Sequence, residues 1–318
     1  MNAPFLCDLL APFQYEFMQR ALLGCVLVGF TNGFLSAFIV LRQQALLADA
    51  LSHSLIPGLA VGAIFFGLAP MGLFLGAVAA ALFVGLGGQL VARSSRLKDD
   101  TAIGALYTVA FALGIFLLRF SRERVDLTHF IFGNLLGISN ADLWIIYGVG
   151  FLSAVCLVSQ QRGLLLALFE PSVAQSLGVP VARLNYMLIS LIILAMIASL
   201  QAVGVVLSVG LLVLPAATVY LLSDSYRVMC WAGGALGAAG ACVGLMLSYW
   251  VEIPSGPAIV LVLGACFVAA LIFGPRYGVL AKLRPTRHLH NQSLARWEEG
   301  EPHTHGEEKD APSRTSVT

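Results

Sequence analysis

The chain has 318 residues, of which 58% are hydrophobic and 11% charged, with a formal net charge of +1. A soluble domain carries roughly 25% charged residues, so this is the composition of an integral membrane protein. With no basic excess to neutralise phosphates, a nucleic-acid role is excluded.

Taken in chain order, nine apolar stretches are long enough to cross, or nearly cross, a hydrocarbon core of about 30 Å. They lie at 17–41, 45–67, 71–92, 101–118, 141–159, 183–202, 204–222, 228–250 and 256–273. The stretch at 101–118 is short, and a bend at Ala202–Gly204 would merge two others, so eight spans are also compatible with the pattern. Residues 127–139 are apolar but too short to span, and fit a surface or re-entrant segment with His129 in an external loop. No Lys or Arg precedes Arg20, which argues against a cleaved signal peptide. Cys7, Cys25, Cys156, Cys230, Cys242 and Cys266 form no C-x-x-C pair and sit mostly in apolar runs, as packing residues. The 32 glycines, dense at 233–241, suit close helix packing in lipid.

Positive charge orients the spans. Nine spans place Arg42, Arg93, Arg96, Lys98, Arg162, Arg183 and Arg227 in the cytoplasm, together with the cations from Arg276 onward. Arg20, Arg119, Arg122 and Arg124 are left outside. The N-terminus is then external and the C-terminus cytoplasmic. The domain plan is an N-terminal segment at 1–16, a transmembrane domain at 17–285 and a polar, disordered tail at 286–318. That tail holds His288, His290, His303 and His305, too loosely placed for tight metal binding.

Asp49 and His53 stand four residues apart in the second span, so both project from one face of a helix. Ionisable side chains inside a membrane segment are costly and mark a functional site by default. A carboxylate beside an imidazole suits a divalent transition metal such as Mn, Fe or Zn. The same pair would also serve as an ordinary packing contact between helices. Pro57 has no N–H to offer the His53 carbonyl, so a kink and a freed carbonyl are expected there. Residues 204–218 form a Gly-rich apolar helix that opens on Gly204 and contains Pro215, the composition of a bent, closely packed gate-lining element. Between the fifth and sixth spans, residues 163–184 read as non-membrane. Ser172 is expected to cap a short helix there, which Gly178 and Pro180 would end. Such a helix suits docking of a soluble partner, or is a plain connection. No G-x-x-x-x-G-K-[ST] phosphate loop is present, so the chain has no ATPase site of its own.

Several motifs resemble, in order and over about residues 17–275, the permease subunits of bacterial manganese/zinc/iron ABC importers, the ABC-3 family. They are the run 38–42, the segment 47–53 followed by Pro57-Gly58, Phe169-Glu170-Pro171 with Ala174 and Leu177-Gly178-Val179, and the runs 200–204 and 211–218. The resemblance implies an all-α polytopic bundle of the type II importer fold, shared with vitamin B12 and siderophore permeases, in the bacterial inner membrane. It implies two permease subunits, identical or paralogous, around one translocation path. Two cytosolic ATPase subunits would power it, and a periplasmic or lipoprotein metal-binding protein would deliver the ion. The metal is cargo, with no permanently bound cofactor. Asp49 and His53 are implied as metal-contacting residues in the path. Phe169, Glu170, Pro171, Ala174, Leu177 and Gly178 are implied as the coupling helix that seats in the ATPase. The competing reading, a proton-driven secondary metal transporter, needs no docking helix and would show inverted repeats. No clear internal repeat is visible.

Overall fold

Helix α1 spans Glu16–Leu41, α2 Ala45–Phe66, α3 Pro70–Ser94, α4 Asp99–Leu118 and α5 Asn140–Phe169. After these come α6 Pro171–Ser176, α7 Val181–Val203, α8 Val205–Tyr220, α9 Tyr226–Val251 and α10 Ser255–Phe273. The structure, a computed structural model, describes residues 15–67, 70–120, 133, 135–275 and 278–279. Among the described residues, nine helices are long and apolar enough to cross a membrane, and only the six-residue α6 is not. Most of the segment read as re-entrant, with His129, lies outside the described residues, as does the tail from 280. The end of that segment is visible as a 3-10 turn at Leu135–Gly137, with Leu135 and Ile138 tucked against α1.

Helix ends fall within two residues of the expected spans, with one exception. Helix α5 continues to Phe169 instead of stopping near Ser159. The polar run Ser159–Arg162 ends the apolar pattern without ending the helix, because Leu164–Phe169 are good helix formers and the first breaker is Pro171. Thirty residues at 1.5 Å rise make a rod of about 45 Å, longer than a hydrocarbon core of about 30 Å. The helix is thus about ten residues longer than a perpendicular crossing needs. Its start is fixed by a capping box, with Ser139 and Asp142 satisfying each other's backbone N–H.

Lipid tails are as apolar as leucine, so the bundle closes through small residues that let backbones approach. A Cβ added at Gly29 would lie 2.6 Å from the Gly237 carbonyl oxygen, and one at Gly33 would collide with that of Gly233. Rising numbers on α1 meet falling numbers on α9, so the two run antiparallel. Gly58 against Gly76 and Gly62 against Gly72 join α2 to α3 in the same way, and Gly244 and Gly240 seat Ile259 and Leu263 of α10. Two buried clusters result, and both α1 and α7 run through each of them.

Between α7 and α8 the chain turns back. Ser199 Oγ and Ser208 Oγ are 2.8 Å apart, whereas residues nine apart in one continuous helix are separated by about 13.5 Å. The corner is Gly204, at φ 81° and ψ 170°, a region essentially reserved for glycine. This reversal makes two spans where a bend would have made one.

The glycine contacts define a stability test. Gly237→Leu should cost ~2 kcal/mol or more through forced separation of α1 and α9, read as a lowered melting temperature in detergent. Gly264, which has open space around it, should accept alanine with no loss.

Candidate functional site

Asp49 and His53 sit near the start of α2, on a stripe that the bundle leaves at least partly exposed: Ala45, Asp49, His53 and Ile56. The neighbouring positions Leu47, Ala48, Ala50, Leu51 and Leu55 are all buried. Side-chain exposure is 58% for Asp49 and 45% for His53, and His53 Nε2 lies 3.8 Å from Asp49 Oδ1. That separation is too long for a hydrogen bond. Two ligands on one first-row ion, with bonds of about 2.1 Å, stand roughly 3–3.5 Å apart, so a small side-chain adjustment brings the pair to ligating distance. The hydroxyls beside them are occupied: Ser52 donates to the Asp49 carbonyl and Ser54 to that of Leu51. The imidazole packs against Tyr107 at 6.2 Å and edge-on to Phe111 at 5.5 Å between ring centroids, both on α4. A cleft of about 190 Å³ opens beside the pair, lined by Asp49, Asp100, Ile103, Gly104 and Tyr107. Among the described residues no three His, Cys, Asp or Glu side chains converge on one point. One copy of the chain thus offers the pair alone.

Pro57 lies inside α2, which continues from Ala45 to Phe66. Its ring occupies the contact with α4: a Cβ on Gly114 would lie 2.6 Å from the Pro57 nitrogen. Pro215 stands within α8, and Ser36 of α1 accepts a hydrogen bond from the next N–H, that of Ala216, at 3.1 Å while donating to the Gly33 carbonyl. The sequence-predicted Asp49/His53 pair is therefore assembled on one helix face, whereas Gly204 and Pro215 belong to the α7–α8–α1 packing.

At the far end of α5, Phe169, Glu170 and Pro171 lead into α6. The cap of α6 is Glu170, with Pro171 at the first helical position. Ser172, expected to be the cap, lies inside the helix, because the Pro171 ring is already pre-set for the first turn. Leu177 and Gly178 close α6 in a Schellman turn: Gly178 N–H reaches the Gln175 carbonyl and Val179 N–H that of Ala174. Gly178 takes φ 77°, which a side chain adopts only with strain. Ala174 is fully buried beneath the helix, while Phe169, Val173 and Leu177 are 62%, 45% and 69% exposed. Val173 and Leu177 are four apart on α6 and its cap, and with Phe169 at the end of α5 they form an exposed apolar row.

Sequence reasoning missed the polar belt that holds the start of α2. Arg42 donates to Asn185 Oδ1 on α7, and Gln44 Nε2 donates to Asp99 Oδ2 on α4 at 3.4 Å. Burial draws the Arg42 pKa below its ordinary value, and the Asp99 charge opposes that. The available signal was the Asp99-Asp100 pair opening a span; acidic residues at a helix N-terminus answer its dipole, which hides any further use.

The fold is that of a polytopic membrane protein with a polar pair on an open flank. The chain belongs to the ABC 3 transport family, whose model matches residues 14–274. It is 40% identical over 286 residues to the manganese transport system membrane protein MntC of Halalkalibacterium halodurans, covering 88% of this chain and 94% of that protein. A probable iron transport system membrane protein of Haemophilus influenzae is 34% identical, covering 83% and 96%. Among solved structures, PsaBC from Streptococcus pneumoniae in complex with Fab superposes with a TM-score of 0.75 at 31% identity, over 88% of this chain and all of that one.

If Gly178 is needed for its left-handed backbone, Gly178→Val should fray α6 at a cost of about 1 kcal/mol while Gly178→Asn is better tolerated. Amide hydrogen exchange across residues 171–180 reads the difference; equal protection in both variants would count against it.

Proposed function

We propose that this chain is the membrane-spanning subunit of an ATP-driven importer for a divalent transition metal, with manganese as the first candidate and iron or zinc as alternatives. The observation that carries the reading is the Asp49–His53 pair, open on one face of the first half of a largely buried helix. It stands in a chain whose relatives are named as manganese and iron transport proteins. A carboxylate and a neutral imidazole form a borderline ligand set for Mn, Fe and Zn. Two ligands from one copy hold an ion too weakly to trap it, and a second permease copy facing the same stripe completes the site. Incomplete coordination suits a path, because the ion must leave as readily as it enters.

Energy enters at α6. The exposed row Phe169, Val173 and Leu177, with Gly178 fixing the helix end, suits a groove in a cytosolic ATPase subunit, and Ala174 anchors the helix to the bundle. The extra length of α5 suits carrying this row out to where a soluble partner can reach it. Two ATPase subunits, two permeases and an external metal-binding protein make up the proposed complex, with the C-terminus of this chain on the cytoplasmic side.

In a strain lacking its own uptake system, Asp49→Ala and His53→Ala should each reduce manganese uptake to background while the complex still assembles. Wild-type uptake by both variants at normal expression would remove the pair from the path. Separately, Phe169→Asp with Leu177→Asp should abolish co-purification of the ATPase without altering helix content. The tail beyond Pro285 cannot build a core, so a chain truncated there should keep its uptake rate and metal preference in the same assay.

A further inference from the structure

We propose that Arg42 is a positioning residue that transmits movement of α6 and α7 to α2, and so to Asp49 and His53. The inference rests on the reading of α6 as the ATPase-docking helix and of the pair as the ion path. Arg42 is the last residue before the corner joining α1 to α2, seven positions from Asp49. Its guanidinium bonds Asn185, on the second turn of α7, immediately after the α6 Schellman turn. It also feels the charge of Asp99, the first residue of α4, to which Gln44 of the same corner is bonded. One tripeptide thus touches the helix that follows the docking element, the helix that walls the cleft, and the helix that carries the pair.

Three features favour transmission over a simple staple. First, α2 and α7 share few direct contacts, so at this end the polar belt is their main connection. Second, the corner is strained. Arg42 and its neighbours close α1 in a Schellman turn, with Gln43 N–H on the Val40 carbonyl and Gln44 N–H on that of Ile39. The left-handed position is filled by Gln43 at φ 57°, not by glycine. Strained backbone persists only where its surroundings over-determine it, and the Arg42 and Gln44 side chains are the groups that do so. Third, the cleft beside Asp49 is walled by Asp100, next in sequence to Asp99. A shift of Asn185 that drags the corner alters the spacing of α2 and α4 at the place where an ion leaves. The guanidinium fork can hold an amide oxygen and face a carboxylate at once, which an ammonium does less well. The exposed Arg93–Tyr186 contact, 4.7 Å from cation to ring centroid, links α7 to α3 and bypasses α2.

The experiment uses the complete transporter in proteoliposomes, with ATP hydrolysis and manganese transport measured together. Arg42→Gln should retain the ATPase subunits and keep hydrolysis within twofold, while manganese moved per ATP falls at least tenfold. Arg42→Lys should recover part of that ratio, and Asn185→Leu should lower it at least threefold. An unchanged ratio in Arg42→Gln overturns the proposal. Should Arg42→Gln fail to fold, Asn185→Leu decides in the same terms. The Phe169→Asp/Leu177→Asp variant run alongside separates the two layers. If it loses the ATPase while Arg42→Gln stays coupled, only the link is wrong. If it keeps both ATPase and coupling, the docking reading falls and the link falls with it.

Discussion

How closely α2 is held by its neighbours decides what the Asp49–His53 pair can be. Glycine contacts bring α3 to within backbone distance along one side, and Gly114 seats α4 against Pro57 on another. With those flanks closed, the stripe from Ala45 to Ile56 is the face left for polar groups. A charged side chain there avoids burial in the bundle, which would cost several kcal/mol. The imidazole of His53 leans on Tyr107 and Phe111 of α4, while Asp49 remains the more exposed of the two. In a bilayer such tight apposition has to come from missing side chains, because burying larger apolar groups gains nothing over lipid.

Several of the polar groups inside the bundle are arranged to cost little. Ser36 accepts one backbone N–H beyond Pro215 and donates to another carbonyl, and Ser199 and Ser208 satisfy each other across the Gly204 corner. The Ala216–Ser36 and Ser199–Ser208 bonds each tie two helices while satisfying polar groups in a low-dielectric interior. Asn32 is different. It is 1% exposed, and neither its amide nitrogen nor its oxygen has a hydrogen-bond partner; nothing in the structure explains it.

Much of this was legible in the sequence, for identifiable reasons. Spans were readable because membrane helices announce themselves by length and apolarity, and the i,i+4 spacing of Asp49 and His53 needed only helical geometry. The end of α6 followed from Gly178 and Pro180. What was lost followed from the same signals. An apolar pattern reports the bilayer and not the helix, so the polar run at Ser159–Arg162 concealed the extension of α5 to Phe169. Asp99 stood just outside an expected span and Asn185 inside one, and neither showed its partner, because those partners are over fifty residues away and no local pattern encodes a long-range hydrogen bond. Whether Ala202–Gly204 bent or reversed the chain depended on a tertiary contact, the Ser199–Ser208 bond.

Two Schellman turns among the described residues show the same geometry under different backbone conditions. At Gly178 the left-handed position is occupied by the residue that takes it freely, and the turn is relaxed; a helix that must present a fixed row to a partner gains from an end that does not fray. At Gln43 the same position holds a side chain that prefers to leave it, at a cost of about 1–2 kcal/mol. The corner is held by side-chain bonds to α4 and α7 and not by its own backbone preference.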